Sequence, residues 1–483
     1  MKTNLFLQAI TQLVKVRIET LTQEMAETLD FATFEQELDE LMSQVCTVIS
    51  AIKLTELLTS AEFLAKLKQL GARKGMRCKE YRTVTVYFAT GKTMLIPTPY
   101  FVKAQPKRGR KKPGPNGGGS HLGLAVLGLI GRSSAVLVSE VVKMALLSPS
   151  FEIAKEMLAG RGVQIDVSTM RRFCRQLAEK GFHFRGQVSL AGDEDLKGFT
   201  LVIGIDGGRL RERCPKRGRK KKGQKRQGYK GEWREPKLFT IYLLDGQGKT
   251  VQSFSPLHDA TMGNHEEMFA LLARYLSALP LAEAARLVFC GDGAPWIWSD
   301  VEVMCKRMGL SEICPVHQVL DYIHAQQNLQ NIIDLVGKRL QKRQRIADKW
   351  QKLLWHGDMA GLQQEICRLL TGRKQEKALK KWHDYFENNE KRMQYKAFKA
   401  ASIPCGSGCV ESAIRRIINL RLKSAGTFWK RDMAEYFLFL RSQLLSGRWL
   451  IFVRNVIRQQ ARTWLNLQDC QDIDLLQPPL SNA

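Results

Sequence analysis

Two short apolar runs, LVIGID (201–206) and ARLVFCGDG (285–293), each lead into an aspartate flanked by glycine. They are too short for helices, and they lack the polar alternation of a strand with one wet face. Such runs fit strands buried on both faces, which requires helices to cover the sheet and argues for an α/β core. KLFTIYLLD (237–245) and TVQSFSPL (250–257), joined by Gly246-Gln247-Gly248, read as two more strands. Helical spacing resumes at 265–279, and 312–316 supplies a fifth strand.

Three adjacent strands, a helix and a further strand follow the order of a ribonuclease H-like mixed sheet, expected over 196–316 as the first part of the core. Residues 1–75 place Ile10, Val14, Ile18 and Leu21, then Leu57, Ala61, Leu64 and Leu67, at helical spacing. Residues 76–120 are expected to hold a β-hairpin, turning at Thr90-Gly91, and the basic linker KRGRKKPGPNGGGS (107–120). Residues 121–195 read as a helical DNA-binding region with a helix-turn-helix at about 151–180. There Ser168 would cap the second helix. Arg171, Arg172 and Arg175 lie on or near one face, as in a helix that enters the major groove. An ordinary helical hairpin has the same pattern. An all-α insertion is expected over 317–400, further helices over 401–466, and a tail over 467–483.

The chain of 483 residues carries 75 Lys+Arg against 47 Asp+Glu, a net charge of +28. That excess points to a polyanion, since cations near phosphates release condensed counterions. A ribosomal or membrane-surface protein could share it. The N-terminus lacks a secretory apolar core. The most apolar stretch, 122–147, is interrupted by Arg132, Glu140 and Lys143 and falls short of a membrane span. The 11 cysteines include no CxxC pair, so reduced thiols and no structural zinc are expected. The expected location is the cytoplasm, in association with the nucleoid and with no membrane partner. Gly91-Lys92-Thr93 and Gly248-Lys249-Thr250 mimic the end of a phosphate-binding loop, but Val86 and Leu243 stand where its first glycine belongs. Nothing here points to ATP or NAD.

Asp206 and Asp292 each follow a buried strand, and strand ends are where α/β sheets build sites. Either Asp-Gly alone is equally a turn. A third acid, Glu411, follows the turn Cys405-Gly406-Ser407-Gly408 at the start of VESAIRRIINLRLKSAG. At 100° per residue, Val410, Ala413, Ile414, Ile417, Ile418, Leu422 and Ala425 form an apolar stripe. Arg415, Arg416, Asn419 and Lys423 fill the adjoining sector, with Glu411 at the seam. Three such carboxylates could hold two Mg²⁺ (or Mn²⁺) ions, the arrangement used for in-line phosphoryl displacement.

VIGIDGGRLRER, WREPKLFTIYLLD, FCGDGAPWIW, DYIHAQQNL and CGSGCVESAIRRIINLRLKSAGTFW together resemble bacterial insertion-sequence transposases of the DDE class. The Kra-type family is closest and the Mutator-like group more distant, over about residues 120–450. The resemblance implies a ribonuclease H-like catalytic fold with Asp206, Asp292 and Glu411 as catalytic and metal-binding residues. It also implies a helical insertion before the last catalytic helix, and a D-x-x-H element, Asp321 to His324, whose histidine helps position DNA. Partners would be double-stranded DNA, both terminal inverted repeats and target, bound by a homodimer or larger homo-oligomer. The basic linker stands where relatives often carry paired cysteines.

The stretch after Asp206, RERCPKRGRKKKGQKRQGYKGEWREPK, reads as a loop. Lys216, Arg217, Arg219, Lys220, Lys221, Lys222, Lys225 and Arg226 would clamp phosphates beside the scissile strand. Trp296, Trp298 and Trp429 could stack on an unpaired base, with core packing expected for at least two of them. Two alternatives stand beside a transposase. One is a metal-dependent nuclease on the same fold; the other is a non-catalytic, sequence-specific DNA-binding protein.

Overall fold

A computed structural model describes residues 2–104, 118–188, 190, 194–218, 223, 227–337 and 340–465. The chain divides into two units, Met1–Gly181 with Leu450–Ala483, and Phe182–Trp449. Most of the basic linker, and the tail from 467, lie outside the described residues.

In the first unit the heptad-like spacing of the N-terminus becomes α1 (Lys2–Thr28), α2 (Phe31–Thr59) and α3 (Ala61–Arg73). A hairpin follows, β1 (Met76–Tyr87) with β2 (Thr93–Lys103), and β3 (Gly119–Ser120) pairs with β2. By length and composition α2 is apolar enough to cross a bilayer. Its buried residues Ala51 and Leu58 join a cluster with Val86, Phe88, Ile96 and Leu124, while most of the helix is half-buried or exposed. The apolar stretch 122–147 breaks into α4 (Leu122–Val126) and α5 (Ala135–Leu147), with Ser134 capping the latter. α5 packs on both α6 (Phe151–Ala159) and α7 (Val167–Gly181). The second helix of this hairpin is capped by Asp166, not Ser168. Asp166 Oδ1 accepts from Thr169 N at 2.9 Å, and Ser168 Oγ donates to the same carboxylate. A carboxylate two residues earlier thus captures both the free N–H and the serine hydroxyl.

The second unit is built on a five-stranded sheet, β4 (Thr200–Gly207), β7 (Lys237–Leu244), β8 (Leu257–Thr261), β9 (Arg286–Gly291) and β10 (Val316–Leu320). Its order is β10-β9-β4-β7-β8, and only β7 runs against the others. The separate ribbon β5 (Leu210–Pro215) with β6 (Tyr229–Arg234) interrupts the run between β4 and β7. The core is mixed α/β, as expected, but two strands are displaced and one loop is not a loop. The third strand is Leu257–Thr261 rather than 250–257: after the turn at Gly248 (φ 76°) only a bridge forms at Thr250. The fifth is Val316–Leu320 rather than 312–316, because Leu310–Ile313 makes a helical turn. Residues 317–320 therefore belong to the sheet, not to the insertion. The basic stretch after Asp206 contains β5 and β6.

One sheet face is covered by α8 (His265–Ser277) and α9 (Pro295–Met308), with α10 (Leu310–Ile313) at its end. Leu201, Ile203, Ile205, Phe239, Ile241, Leu287 and Phe289 meet Met268, Leu272, Ile297 and Val301 there. α11 (Tyr322–Ile333), α12 (Leu340–His356), α13 (Met359–Leu369), α14 (Gly372–Lys381) and α15 (Tyr395–Ala400) extend the same core through Leu329, Ile332, Trp350 and Phe386. The opposite face receives α16 (Gly408–Ile414), which packs across β4 and β7 and runs through a π-helical turn at 415–419 into α17 (Leu420–Leu422). α18 (Arg431–Leu445) lies against β8. α19 (Trp449–Leu465) lies almost wholly in the first unit, where Gln460 donates to Ala125 O and Leu129 O, both at 2.9 Å.

Gly204 explains how α16 comes so close. A Cβ there would lie 3.0 Å from Val410 Cβ and 3.2 Å from Thr240 Cγ2, both buried. Gly204→Ala is expected to cost about 1–3 kcal/mol, the usual penalty for overpacking. Urea unfolding reads it, and an unchanged midpoint would contradict this account of the contact.

Candidate active site

Register brings the acids together. β4, β9 and β10 are parallel, and Ile205, Gly291 and Leu320 stand side by side across them. The next residue on each is an acid: Asp206, Asp292 and Asp321. Side chains alternate along a strand. The three acids keep the phase of Val202, of Val288 and Cys290, and of Val319, which cluster on one face. Gly204, in the same phase, meets Val410, so this is the face that α16 covers. Glu411 is the next residue on that helix.

Asp206 Oδ1 accepts from Gly207 N at 2.6 Å. Burial pushes its carboxyl up to about 6, and the negative charges of Asp292 and Glu411 add to this against the Gly207 N–H and His324. Asp292 Oδ1 accepts from Ala294 N at 2.9 Å, and its carbonyl accepts from Trp298 Nε1 at 2.9 Å. Glu411 is exposed and accepts from Ser407 Oγ at 3.2 Å. Asp321 is different. It is buried, caps α11 by accepting from His324 N at 2.8 Å, and accepts from Ser407 N with its other oxygen. Burial pushes Asp321 up, but the hydrogen bonds from His324 and Ser407 outweigh it and hold the carboxyl well below the usual range. It thereby fastens the turn that starts α16. His324 Nδ1 lies 3.2 Å from Asp321 Oδ1, at ion-pair distance but out of hydrogen-bond alignment. That contact, with Asp292 and Asp206 adding, raises the imidazole above its ordinary value.

Ligand atoms of Asp321, His324 and Glu411 lie within 4.8 Å of one another. This set differs from the trio the resemblance implies. Both oxygens of Asp321 are engaged by backbone N–H groups, which suits a buttress. Asp206 and Asp292 each keep an oxygen that accepts no hydrogen bond from the described residues. Crowded carboxylates, one held up near 6 by burial and its neighbours, are hard oxygen donors. Asp206, Asp292 and Glu411 offer oxygen donors of the kind a divalent ion takes, but among the described residues the group within 4.8 Å is Asp321, His324 and Glu411. His324, expected to position DNA, stands among the carboxylates.

The glycines beside the acids admit close packing: Ile418 fills the space over Gly208, and Tyr385 that over Gly293. The expected stripe of α16 and its continuation is buried from Val410 to Leu422, but Ala425 is exposed because the helix ends at Leu422. Arg415, Arg416 and Lys423 are exposed alongside. The π-helical turn between them frees backbone carbonyls, and buried Arg441 of α18 answers by donating to Ile417 O at 2.7 Å and to Arg416 O. Arg441 escaped the sequence reading, since nothing local links it to a turn far upstream. Asp321 as a strand-end acid was missed because its strand was set too early.

Lys216 and Arg217 are exposed beyond β5, whereas Arg219, Lys220, Lys221, Lys222, Lys225 and Arg226 lie outside the described residues. Trp298 and Trp429 are buried, and Trp296 is half-buried under Lys237. Arg171, Arg172 and Arg175 are exposed on α7 of the first unit. The described cysteines are all free thiols. No family model matches the sequence, and no curated protein is similar to it.

Proposed function

We propose that this chain is a DNA transposase of the insertion-sequence DDE class, Kra-type, with a ribonuclease H-like catalytic core. One observation carries the reading. Asp206 and Asp292 leave adjacent parallel strands in register, on the face that the Glu411 helix covers. The sheet order, with its second strand alone reversed, supports the same core. The exposed row Arg415, Arg416 and Lys423, and the net charge of +28, support a polyanionic substrate.

Asp206, Asp292 and Glu411 would hold two Mg²⁺ or Mn²⁺ ions, which supply Lewis acidity to attacking and leaving oxygens in phosphodiester displacement. The chain's own groups do the rest. Gly207 N–H and Ala294 N–H orient the two aspartates. Asp321 pins Ser407, and Ser407 supports Glu411. His324 lies against Asp321, beside the acids. Arg415, Arg416 and Lys423 draw the phosphate backbone along the helix, fixing register without reading bases. One site can serve cleavage to a 3′-OH and then the attack of that hydroxyl on target DNA.

A strand-transfer assay with Mg²⁺ and DNA carrying the element ends tests this. Joined products are expected. Cleavage without joining would leave a nuclease, and binding alone a DNA-binding protein.

A further inference from the structure

The ribbon that follows Asp206 has a face the cleavage chemistry does not use. In its register Arg211 stands opposite Trp233, Arg213 opposite Gly231, and Pro215 opposite Tyr229, so these side chains share one side. Gly231 leaves the gap in which the Phe428 ring lies. The result is an interleaved stack. The Arg213 guanidinium lies 4.1 Å from the Tyr229 ring centre, and Tyr229 meets Phe428 edge-on at 5.4 Å. The Arg211 guanidinium lies 4.8 Å from Phe428 and 5.4 Å from Trp233. The three guanidinium contacts are within cation–π reach of about 6 Å.

Charge is sorted between the two sides. Glu212 and Glu232 alternate to the other face, where Arg234 binds them at 2.6 and 2.8 Å. Among the described ribbon residues the aromatic side therefore carries arginines and no carboxylate. Trp233 is 58% exposed and Tyr229 39% exposed. The ribbon is also fixed in place. Arg213 N donates to Trp429 O at 2.7 Å, Trp429 N to Arg211 O at 2.9 Å, and Arg211 to Ser424 O at 3.1 Å. Those contacts tie β5 to the segment that follows the Glu411 helix, and β5 begins within about 15 Å of chain from Asp206.

Exposed rings set among guanidinium groups suit a ligand that offers both π-faces and phosphates. A paired duplex presents phosphates but hides its base faces, whereas an unpaired strand presents both. We propose that Tyr229, Phe428 and Trp233, with Arg211 and Arg213, form a stacking platform for unpaired bases of the DNA strand next to the cleavage site. The location of that strand rests on the transposase reading; the platform's chemistry does not.

The test uses the full chain without divalent ions and two labelled DNAs, a blunt duplex and the same duplex with a short single-stranded extension containing 2-aminopurine. Wild type is expected to prefer the extended duplex and to change the 2-aminopurine fluorescence. Trp233→Ala should weaken the extended duplex by about 5- to 100-fold and the blunt one by less than about twofold. Its salt dependence should stay the same, because no phosphate contact is lost. Trp233→Phe should restore most of the preference, and Tyr229→Ala should repeat the loss. Equal weakening on both DNAs, or none in a variant with wild-type circular dichroism, overturns the platform. A wild type that prefers the extended duplex yet neither cuts nor joins DNA with Mg²⁺ sinks the transposase reading and supports the platform.

Discussion

Asp206→Asn is expected to remove nearly all Mg²⁺-dependent cleavage while making the metal-free protein more stable above pH 7. The loss should exceed about 100-fold, the upper range for losing only a ligand's outer support. Carboxamide oxygen can still accept from Gly207 N, so the strand end keeps its shape. Stability moves the other way because burial, with Asp292 and Glu411, raises the folded carboxyl from 3.8 to about 6. A carboxyl raised on folding favours the folded state below its unfolded value, and that advantage is lost as pH climbs through the folded value. Wild type therefore loses stability between about pH 4 and pH 6 from this group, by up to about 3 kcal/mol, and Asp206→Asn does not. Thermal midpoints of the two proteins should nearly coincide at pH 4 and separate at pH 8, with the variant higher. On this reading, protons and the cation compete in wild type for the same oxygen. Cleavage should fall below about pH 6, and added Mg²⁺ should move that limb to lower pH. Full cleavage by the variant, or a pH-independent gap between the midpoints, would contradict the assignment.

The acids of β4 and β9 were legible because each closes an apolar run, a signal contained within a few residues. Glu411 was singled out mainly by the resemblance, and by its place at the seam of an amphipathic helix. What escaped depends on distant partners or on charge that masks a period. Leu257–Thr261 looked unlike a strand core because His258 and Asp259 interrupt it. Arg185, far off in the sequence, pairs with Asp259, and Ser446 accepts from the His258 backbone N–H. Val316–Leu320 is an edge strand with His317 and Gln318 half-exposed, so its apolar signal is weak and Asp321 read as part of a helix. The ribbon sets Arg211 and Arg213 on one strand and Tyr229 and Trp233 on the other, all inside a basic run, and the net charge hid the period of two. No window of sequence could pair Asp321 with Ser407 N, because those groups meet across 86 positions.

The largest stability effect is expected at Arg185, well away from the acids. Its guanidinium grips Asp259 at 2.9 and 3.0 Å and donates to Glu435 at 2.5 Å and to Ala260 O at 2.6 Å. Asp259 is fully buried on β8 and also accepts from Tyr275 OH at 3.0 Å. Replacing such a pair as a whole is often tolerated, but removing one partner strands the other charge in a dry interior. Arg185→Met should thus cost about 3–5 kcal/mol at pH 8. Burial already pushes Asp259 above its ordinary value despite Arg185. Without the arginine it should rise further, so the carboxyl takes up a proton and the deficit shrinks as pH falls toward 5. Asp259→Asn placed on the Arg185→Met background should recover part of the loss, whereas in wild type the same change leaves the arginine with Glu435 as its one anion of the two. Urea unfolding of the four proteins at two pH values decides it, and additive effects would dismiss the coupling. Glu435, on the same arginine, belongs to α18, and so does Arg441, which holds the carbonyls of the π-helical turn beyond Glu411. A variant that loosens α18 at its first turn should therefore lose cleavage before it loses the sheet, since Arg441 and the turn it holds move with that helix.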